Sequence, residues 1–256
     1  MRENEEMCII QYTISIKNFQ WGLRGMNSVR NAAWLSPSLM CISAWDSIGD
    51  IRALENCGAE LLHVDVMDGA FVPNLMLGTE SVKQLRKLSG IPLDIHLMIE
   101  DPDKKIEWFE PQPGEYVTVH VESTKHLQRA LDRIRLFGAH PAVALNPATP
   151  VCMIEDILGE VDAVVMMTVS PGFSGQKLVP HTLSKLQRMR SMLDRAGLER
   201  VRLAVDGNVS FESAGKMRAA GADVFVCGTS SIFAAGGAIE SNAARLRRCI
   251  ADGELF

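Results

Sequence analysis

From residue 35 onward one pattern recurs along the chain: a short β-rich apolar run, a loop of Gly, Pro, Asn and Asp, and an amphipathic helical stretch. The candidate strands are Leu35–Met40, Leu61–Val66, Leu93–Met98, Tyr116–Val121, Ala142–Leu145, Ala163–Thr168, Val201–Val205 and Val224–Cys227. Helical stretches lie between them at Ser81–Leu88, Lys125–Phe137, Pro180–Ala196 and Phe211–Ala220, and Ala238–Ile250 closes the chain. Gly58, Gly138, Gly197 and Gly221 stand just after helical stretches, where a C-cap residue adopts positive φ. Strands alternating with helices at this spacing imply βαβ units and a parallel sheet. Eight such units predict an α/β fold of the (β/α)₈ TIM-barrel type. A doubly wound open sheet is the competitor, but no Gly-rich dinucleotide loop follows the first strand. Average domain size would divide 256 residues into two domains, whereas an α/β barrel routinely uses about 250 for one. The barrel is therefore expected as a single catalytic domain over residues 34–256. Residues 1–33 lie outside the repeat, show no clean period and are expected to be a flexible N-terminal extension. An internal start at Met26 would leave a chain beginning just before the first strand, and mass spectrometry of the native N-terminus tests that expectation.

Composition narrows the function. Hydrophobic residues make up 47% and charged residues 22%, the balance of a globule with a large core. The net charge of -5 argues against a nucleic-acid partner, which needs a clustered basic face. An anionic metabolite must then be gripped by a local device rather than by the overall field. The six cysteines are dispersed, with no C-x-x-C pair to suggest a zinc ribbon or a redox motif. The longest apolar stretch, Ala163 to Val169, is too short to span a bilayer, so no membrane partner is expected. The first residues are acidic where a secretory signal would be basic. A cytoplasmic location is expected.

In a parallel barrel the loops at the C-terminal strand ends build the active site. The second strand reads His63-Val64-Asp65-Val66-Met67. Its period of two puts His63, Asp65 and Met67 on one face. The third strand repeats the scheme with His96 and Met98, the fourth supplies His120 and Glu122, and the seventh ends in Asp206. A lone inward histidine is usually a satisfied core residue. Several histidines and aspartates converging at one end of a barrel are different, because each unpaired buried charge costs several kcal/mol. A divalent cation compensates them directly. Imidazole with carboxylate suits Zn²⁺, Fe²⁺, Mn²⁺ or Co²⁺, and the ligand set does not choose among these transition metals.

A second cluster of signals concerns an anion. The sixth strand runs into Met167-Thr168-Val169-Ser170-Pro171-Gly172-Phe173-Ser174-Gly175-Gln176, a glycine-rich turn that exposes backbone N–H groups. The seventh and eighth strands end in Asp206-Gly207-Asn208 and Cys227-Gly228-Thr229-Ser230-Ser231. Loops after strands seven and eight are the usual phosphate grip of this fold.

With these residues in place, the chain resembles the ribulose-phosphate 3-epimerase family. The likeness rests on Leu35-Ser36-Pro37-Ser38-Leu39, the run from His63 through Asp68-Gly69 to Pro73-Asn74, Asp94 to Met98, Asn146 to Pro150, and Met167 to Gln176. It covers about residues 34 to 235. The resemblance implies His63, Asp65, His96 and Asp206 as ligands of one divalent metal, with Asp65 and Asp206 also the acid/base pair. It implies that Ser38 positions the substrate and that Met67, Met98 and Met167 line the site. Gly172, Gly175, Gly207, Asn208, Gly228 and Thr229 would contact the substrate on its phosphate side. The implied reaction is epimerisation at C3 of a ketose phosphate, D-ribulose 5-phosphate to D-xylulose 5-phosphate, and homo-oligomers are implied as well. Ser174, Asn208 and the 228–231 loop depart from the family's usual residues and are similar to the related allulose-6-phosphate 3-epimerases. The alternative substrate pair is thus D-allulose 6-phosphate and D-fructose 6-phosphate. A Schiff-base aldolase would need a lysine at a strand end, and Lys83, Lys87, Lys125 and Lys177 lie on loops or predicted helices. A silent sugar-phosphate sensor would be favoured by a missing ligand, but all four are present. His120 and Glu122 acquire no role at this stage beyond support of the ligands or a structural polar pair.

Overall fold

The computed structural model describes residues 32–42 and 47–253. The expected extension at 1–33 and the start at Met26 lie outside the described residues, apart from Ala32 and Ala33. The described residues form nine strands: β1 (Trp34–Pro37), β2 (Leu62–Asp68), β3 (Leu75–Met76), β4 (Leu93–Met98), β5 (Tyr116–His120), β6 (His140–Leu145), β7 (Ala163–Met167), β8 (Arg202–Asp206) and β9 (Val224–Cys227). The α-helices among the described residues are α1 (Ser47–Asn56), α2 (Thr79–Leu88), α3 (Leu127–Leu136), α4 (Thr182–Arg195), α5 (Ala214–Ala219) and α6 (Ile239–Asp252). All eight expected strands are present. The first is shorter than expected, because the chain leaves it after Pro37 for a 3₁₀ turn at Leu39–Cys41. Helix α1 ends just before Gly58, as that C-cap glycine predicts, whereas the two-residue β3 and the 3₁₀ run Val151–Glu160 have no counterpart among the predicted elements. Gly58, Gly138, Gly197 and Gly221 all have positive φ, as their C-cap positions require.

The strands join one sheet in the order β1-β9-β8-β7-β6-β5-β4-β2-β3. Eight of them run parallel, and only β3 is antiparallel, folded back on the end of β2. From β4 to β9 successive strands lie side by side, as crossovers of this length dictate, with β2 next to β4 and β1 next to β9. The sheet curls until its two ends approach. Ser38 forms a parallel bridge with His63, and the Glu60 and Leu61 N–H groups donate to the Leu35 carbonyl at 3.2 and 3.3 Å. Arg247 of α6 pins the same seam by donating to the Glu60 carboxylate at 3.1 Å and to the Gly58 carbonyl at 2.6 Å.

Strand alternation separates two cores. Outward residues such as Val64, Val66, Ile95 and Leu97 pack on the apolar stripes of the helices, among them Ile51 and Leu54 of α1 and Leu186 and Met189 of α4. Inward residues Leu61, Ala144, Val165, Met167, Ala204 and Val224 form a separate cluster inside the curl. Below that layer the Arg202 guanidinium lies over the Trp34 ring, and Trp34 meets Tyr116 edge-on. Above it the interior turns polar.

Candidate active site

The polar layer lies at the C-terminal strand ends. Register places its members side by side: Ser38 bridges to His63, Asp65 pairs with His96, and Met167 pairs with Asp206. One ligand atom from each of His63, Asp65, His96 and Asp206 lies within 4.8 Å of the others. His63 Nε2 is 3.4 Å from Asp65 Oδ1 and 3.8 Å from Asp206 Oδ2, and His96 Nδ1 is 3.4 Å from Asp206 Oδ2. Both histidines are fully buried, and Asp206 is the more open carboxylate, its side chain 16% exposed against 6% for Asp65.

The donor chemistry of this cluster fits a cation. Asp94 Oδ2 accepts hydrogen bonds from His63 Nδ1 at 2.7 Å and from Ser36 Oγ at 2.9 Å. An ionised carboxylate only accepts, so Nδ1 carries the proton and the Nε2 lone pair of a neutral His63 faces the cluster. Ser38 Oγ donates to Asp65 Oδ2 at 2.6 Å, leaving Asp65 Oδ1 directed at the histidines. His63 Nε2 and His96 Nδ1 stand 3.3 Å apart. Electron-pair donors this close repel unless a proton or a metal ion sits among them. Burial disfavours the His63 imidazolium, but the Asp65 and Asp94 carboxylates overcome this and raise its pKa well above the usual value. Burial likewise opposes ionisation of Asp65, yet His63 and His96 hold its carboxyl below the usual carboxylate range.

Sequence reasoning left Asp94 without a role, although it shares a strand face with His96 and Met98. His120 and Glu122, also unassigned there, lie directly behind the cluster. His120 Nε2 is 2.8 Å from His96 Nε2, and His120 Nδ1 is 3.3 Å from Glu122 Oε2. Burial lowers the His120 pKa to about 4. Burial would raise that of Glu122, but hydrogen bonds from His120, Thr149 and the Asn146 N–H bring it down to about 2.

In front of the polar layer lies a cavity that opens to solvent. Ser38, Met67, Met98, Met167, Gly172, Gly175, Gly207, Asn208, Gly228 and Thr229 all line it, as do Asp65 and Asp206. Met40, Cys41, Ser170 and Ser230 are also part of the wall. Gly207 is required by its surroundings: at φ +111°, a Cβ there would stand 2.5 Å from Val169 Cγ2. Three side-chain amides fix the loop after β7. Asn74 Nδ2 donates to Gly172 O at 2.8 Å, Gln176 Nε2 to Ser170 O at 2.6 Å, and Asn208 Nδ2 to Gln176 O at 2.9 Å. One N–H of the Asn208 side-chain amide is thus engaged by the loop, while the residue itself lines the cavity as expected.

A parallel α/β sheet curled on itself, with two histidines and two aspartates convergent at the C-terminal strand ends, defines an α/β protein of the enzyme type with a candidate metal site. Comparison with known proteins makes this specific. Residues 34–233 match the model of the Ribulose-phosphate 3 epimerase family. The ribulose-phosphate 3-epimerase of Methanocaldococcus jannaschii is 44% identical over 184 residues, 72% of this chain and 77% of that protein. The Bacillus subtilis ribulose-phosphate 3-epimerase is 38% identical over 196 residues, covering 77% and 90%. Among solved structures, 3-hexulose-6-phosphate synthase from Salmonella typhimurium superposes with a TM-score of 0.63 at 15% identity, over 86% of this chain and 99% of that one, a likeness of fold. The chain belongs to the ribulose-phosphate 3-epimerase family, and it is an isomerase, an epimerase acting on carbohydrates. Among the described residues no helix is long and apolar enough to cross a membrane.

Proposed function

We propose that the protein is a cytoplasmic, metal-dependent 3-epimerase that interconverts D-ribulose 5-phosphate and D-xylulose 5-phosphate, built as a closed (β/α)₈ barrel in a homo-oligomer. The observation that supports it most is the convergence of His63, Asp65, His96 and Asp206 on one point, in a chain about 40% identical to enzymes named for this reaction. These four residues would hold the ion, and a divalent Zn²⁺, Fe²⁺, Mn²⁺ or Co²⁺ bound there would supply positive charge against the negative charge that develops on the substrate.

The protein's own groups do the proton work. One of Asp65 and Asp206 removes the C3 proton from one face of the ketose, and the other delivers a proton to the opposite face. Reversal of direction exchanges their roles. Asp65 is ionised at neutral pH, as a base must be, and Ser38 fixes its second oxygen. Met67, Met98 and Met167 wall the reacting carbons with groups that exclude water and donate no competing hydrogen bond. The phosphate sits on backbone N–H groups of the loops at Gly172 to Gly175, Gly207 to Asn208 and Gly228 to Thr229.

The test is an epimerase assay on D-ribulose 5-phosphate and D-allulose 6-phosphate, before and after chelation. The expected result is a kcat/KM that favours the pentulose by more than about tenfold and falls to background without metal. Preference for the hexulose reverses the substrate assignment, and full activity after exhaustive chelation removes the metal from the mechanism. Light scattering tests the homo-oligomer.

A further inference from the structure

Among the buried or half-buried ionisable groups with no part in the proton transfer are His120, Glu122 and Lys185. They form a single line that ends on His96. Lys185 of α4 is 2% exposed and donates to the carbonyls of Asn146 at 2.6 Å and Pro147 at 3.4 Å. The Asn146 N–H donates to Glu122 Oε1 at 2.9 Å, and the Thr149 hydroxyl donates to the same oxygen. The other oxygen, Oε2, faces His120 Nδ1 at 3.3 Å, and His120 Nε2 faces His96 Nε2 at 2.8 Å. Phe71 lies against the His120 ring at 4.8 Å between centroids and keeps it from rotating toward solvent.

Proton placement along this line is forced from its far end. Glu122 already receives two donors on Oε1, so it is a fixed acceptor and His120 Nδ1 must carry the proton that meets Oε2. In neutral His120 the Nε2 is then a bare acceptor. It meets His96 Nε2, so that nitrogen must carry a proton, and the lone pair of His96 falls on Nδ1. Nδ1 is the atom that stands 3.4 Å from Asp206 Oδ2 and 3.3 Å from His63 Nε2, inside the four-residue cluster. An imidazole in the opposite state would point an N–H at the ion.

We propose that Glu122 is a positioning residue that acts through His120 to fix the His96 tautomer, so that Nδ1 of His96 is presented to the metal. The relay rests on the metal-site reading above. It is the counterpart of the single-step contact from Asp94 to His63, but it spans two side chains from a different strand end. It also accounts for the buried Lys185, which anchors the loop whose Asn146 N–H orients Glu122.

The experiment uses the full chain loaded with Zn²⁺, with ¹⁵N-detected histidine spectra and Zn²⁺ affinity from competition with a chromophoric chelator. In the wild type, His120 should be protonated on Nδ1, and His96 should be protonated on Nε2 and coordinated through Nδ1. In Glu122→Leu, His120 should lose its Nδ1 proton preference and Zn²⁺ affinity should fall about ten- to a hundredfold, the range for groups that orient metal ligands. Glu122→Gln, which keeps an acceptor oxygen, should recover a large part of both. Thr149→Val removes a bond to Glu122 but leaves His120 facing Oε2, so its histidine spectrum and affinity should match the wild type. That variant separates loop anchoring from tautomer control. An Nε2-protonated His120 in the wild type, or a Glu122→Leu affinity within twofold of wild type, overturns the proposal. A wild type that fails to bind Zn²⁺ overturns the metal-site reading itself, and the relay with it.

Discussion

Replacing Asp94 with asparagine tests whether the cluster is a metal site organised from behind. Asp94 is 6% exposed, and its Oδ2 takes both the His63 Nδ1–H and the Ser36 hydroxyl. Asparagine keeps the shape and one acceptor oxygen but loses the charge. A hydrogen bond to a charged group contributes about 1.5–3 kcal/mol, and a neutral one about 0.5–1.5. The difference of about 1–2 kcal/mol corresponds to a five- to thirtyfold loss in Zn²⁺ affinity, at about 1.4 kcal/mol per decade. The sign of the pH dependence follows from His63. Its raised pKa in the metal-free protein means that a proton competes with the metal, and Asp94 is one cause of that rise. Removing the carboxylate weakens the metal and the competing proton together. The affinity gap between wild type and Asp94→Asn should therefore be widest at alkaline pH and narrow as pH falls through the His63 titration. Chelator competition across pH 6 to 9, with circular dichroism to confirm folding, measures both. Equal affinity at alkaline pH, or a gap that widens on acidification, would refute the reasoning.

Further outcomes follow from the same structure. Asp65→Asn and Asp206→Asn should each lower kcat by about 10²–10⁴ and abolish exchange of the substrate C3 hydrogen with deuterium from solvent; wild-type exchange in both rules out the two-carboxylate mechanism. Lys185, whose pKa burial lowers from 10.5 to about 8 against the pull of Glu122, is held charged at a cost below pH 8. The folded state loses that proton before the unfolded state does, so the wild type should gain stability relative to Lys185→Met as pH rises from 8 to 10.5. At about 1.4 kcal/mol per pKa unit the gain is at most a few kcal/mol. Urea unfolding at three pH values in that interval reads it, and a flat difference counts against it. Asn208→Gly keeps the left-handed backbone, observed at φ +46°, at no steric cost but unties Gln176. It should raise KM for the phosphorylated substrate while leaving the melting temperature almost unchanged, whereas Asn208→Ala should also lose about 1 kcal/mol of stability. A KM unaltered in both variants would show that the loop needs no such tie.

Short-range chemistry was legible in the chain itself. Period-two alternation put His63, Asp65 and Met67 on one face, and the same rule joined His96 to Met98. Recurring strand, turn and helix signals set the parallel α/β class, and the C-cap glycines marked where helices stop. These are local constraints, dictated by backbone geometry over a few residues. Partners across strands were not legible, because nothing in one strand records its register against the next. Asp94 lies 31 residues from the His63 it orients, and Glu122 reaches Asn146 across 24. The bridge from Ser38 to His63 and the pairing of Asp65 with His96 arise only when the sheet curls and the helices pack behind it. The sequence by itself determined which side chains face inward at the strand ends. Only the tertiary structure decided which of them meet, which nitrogen of each histidine faces the cluster, and that His120 and Glu122 stand behind it, since distances between strands are set by packing rather than by local backbone preference.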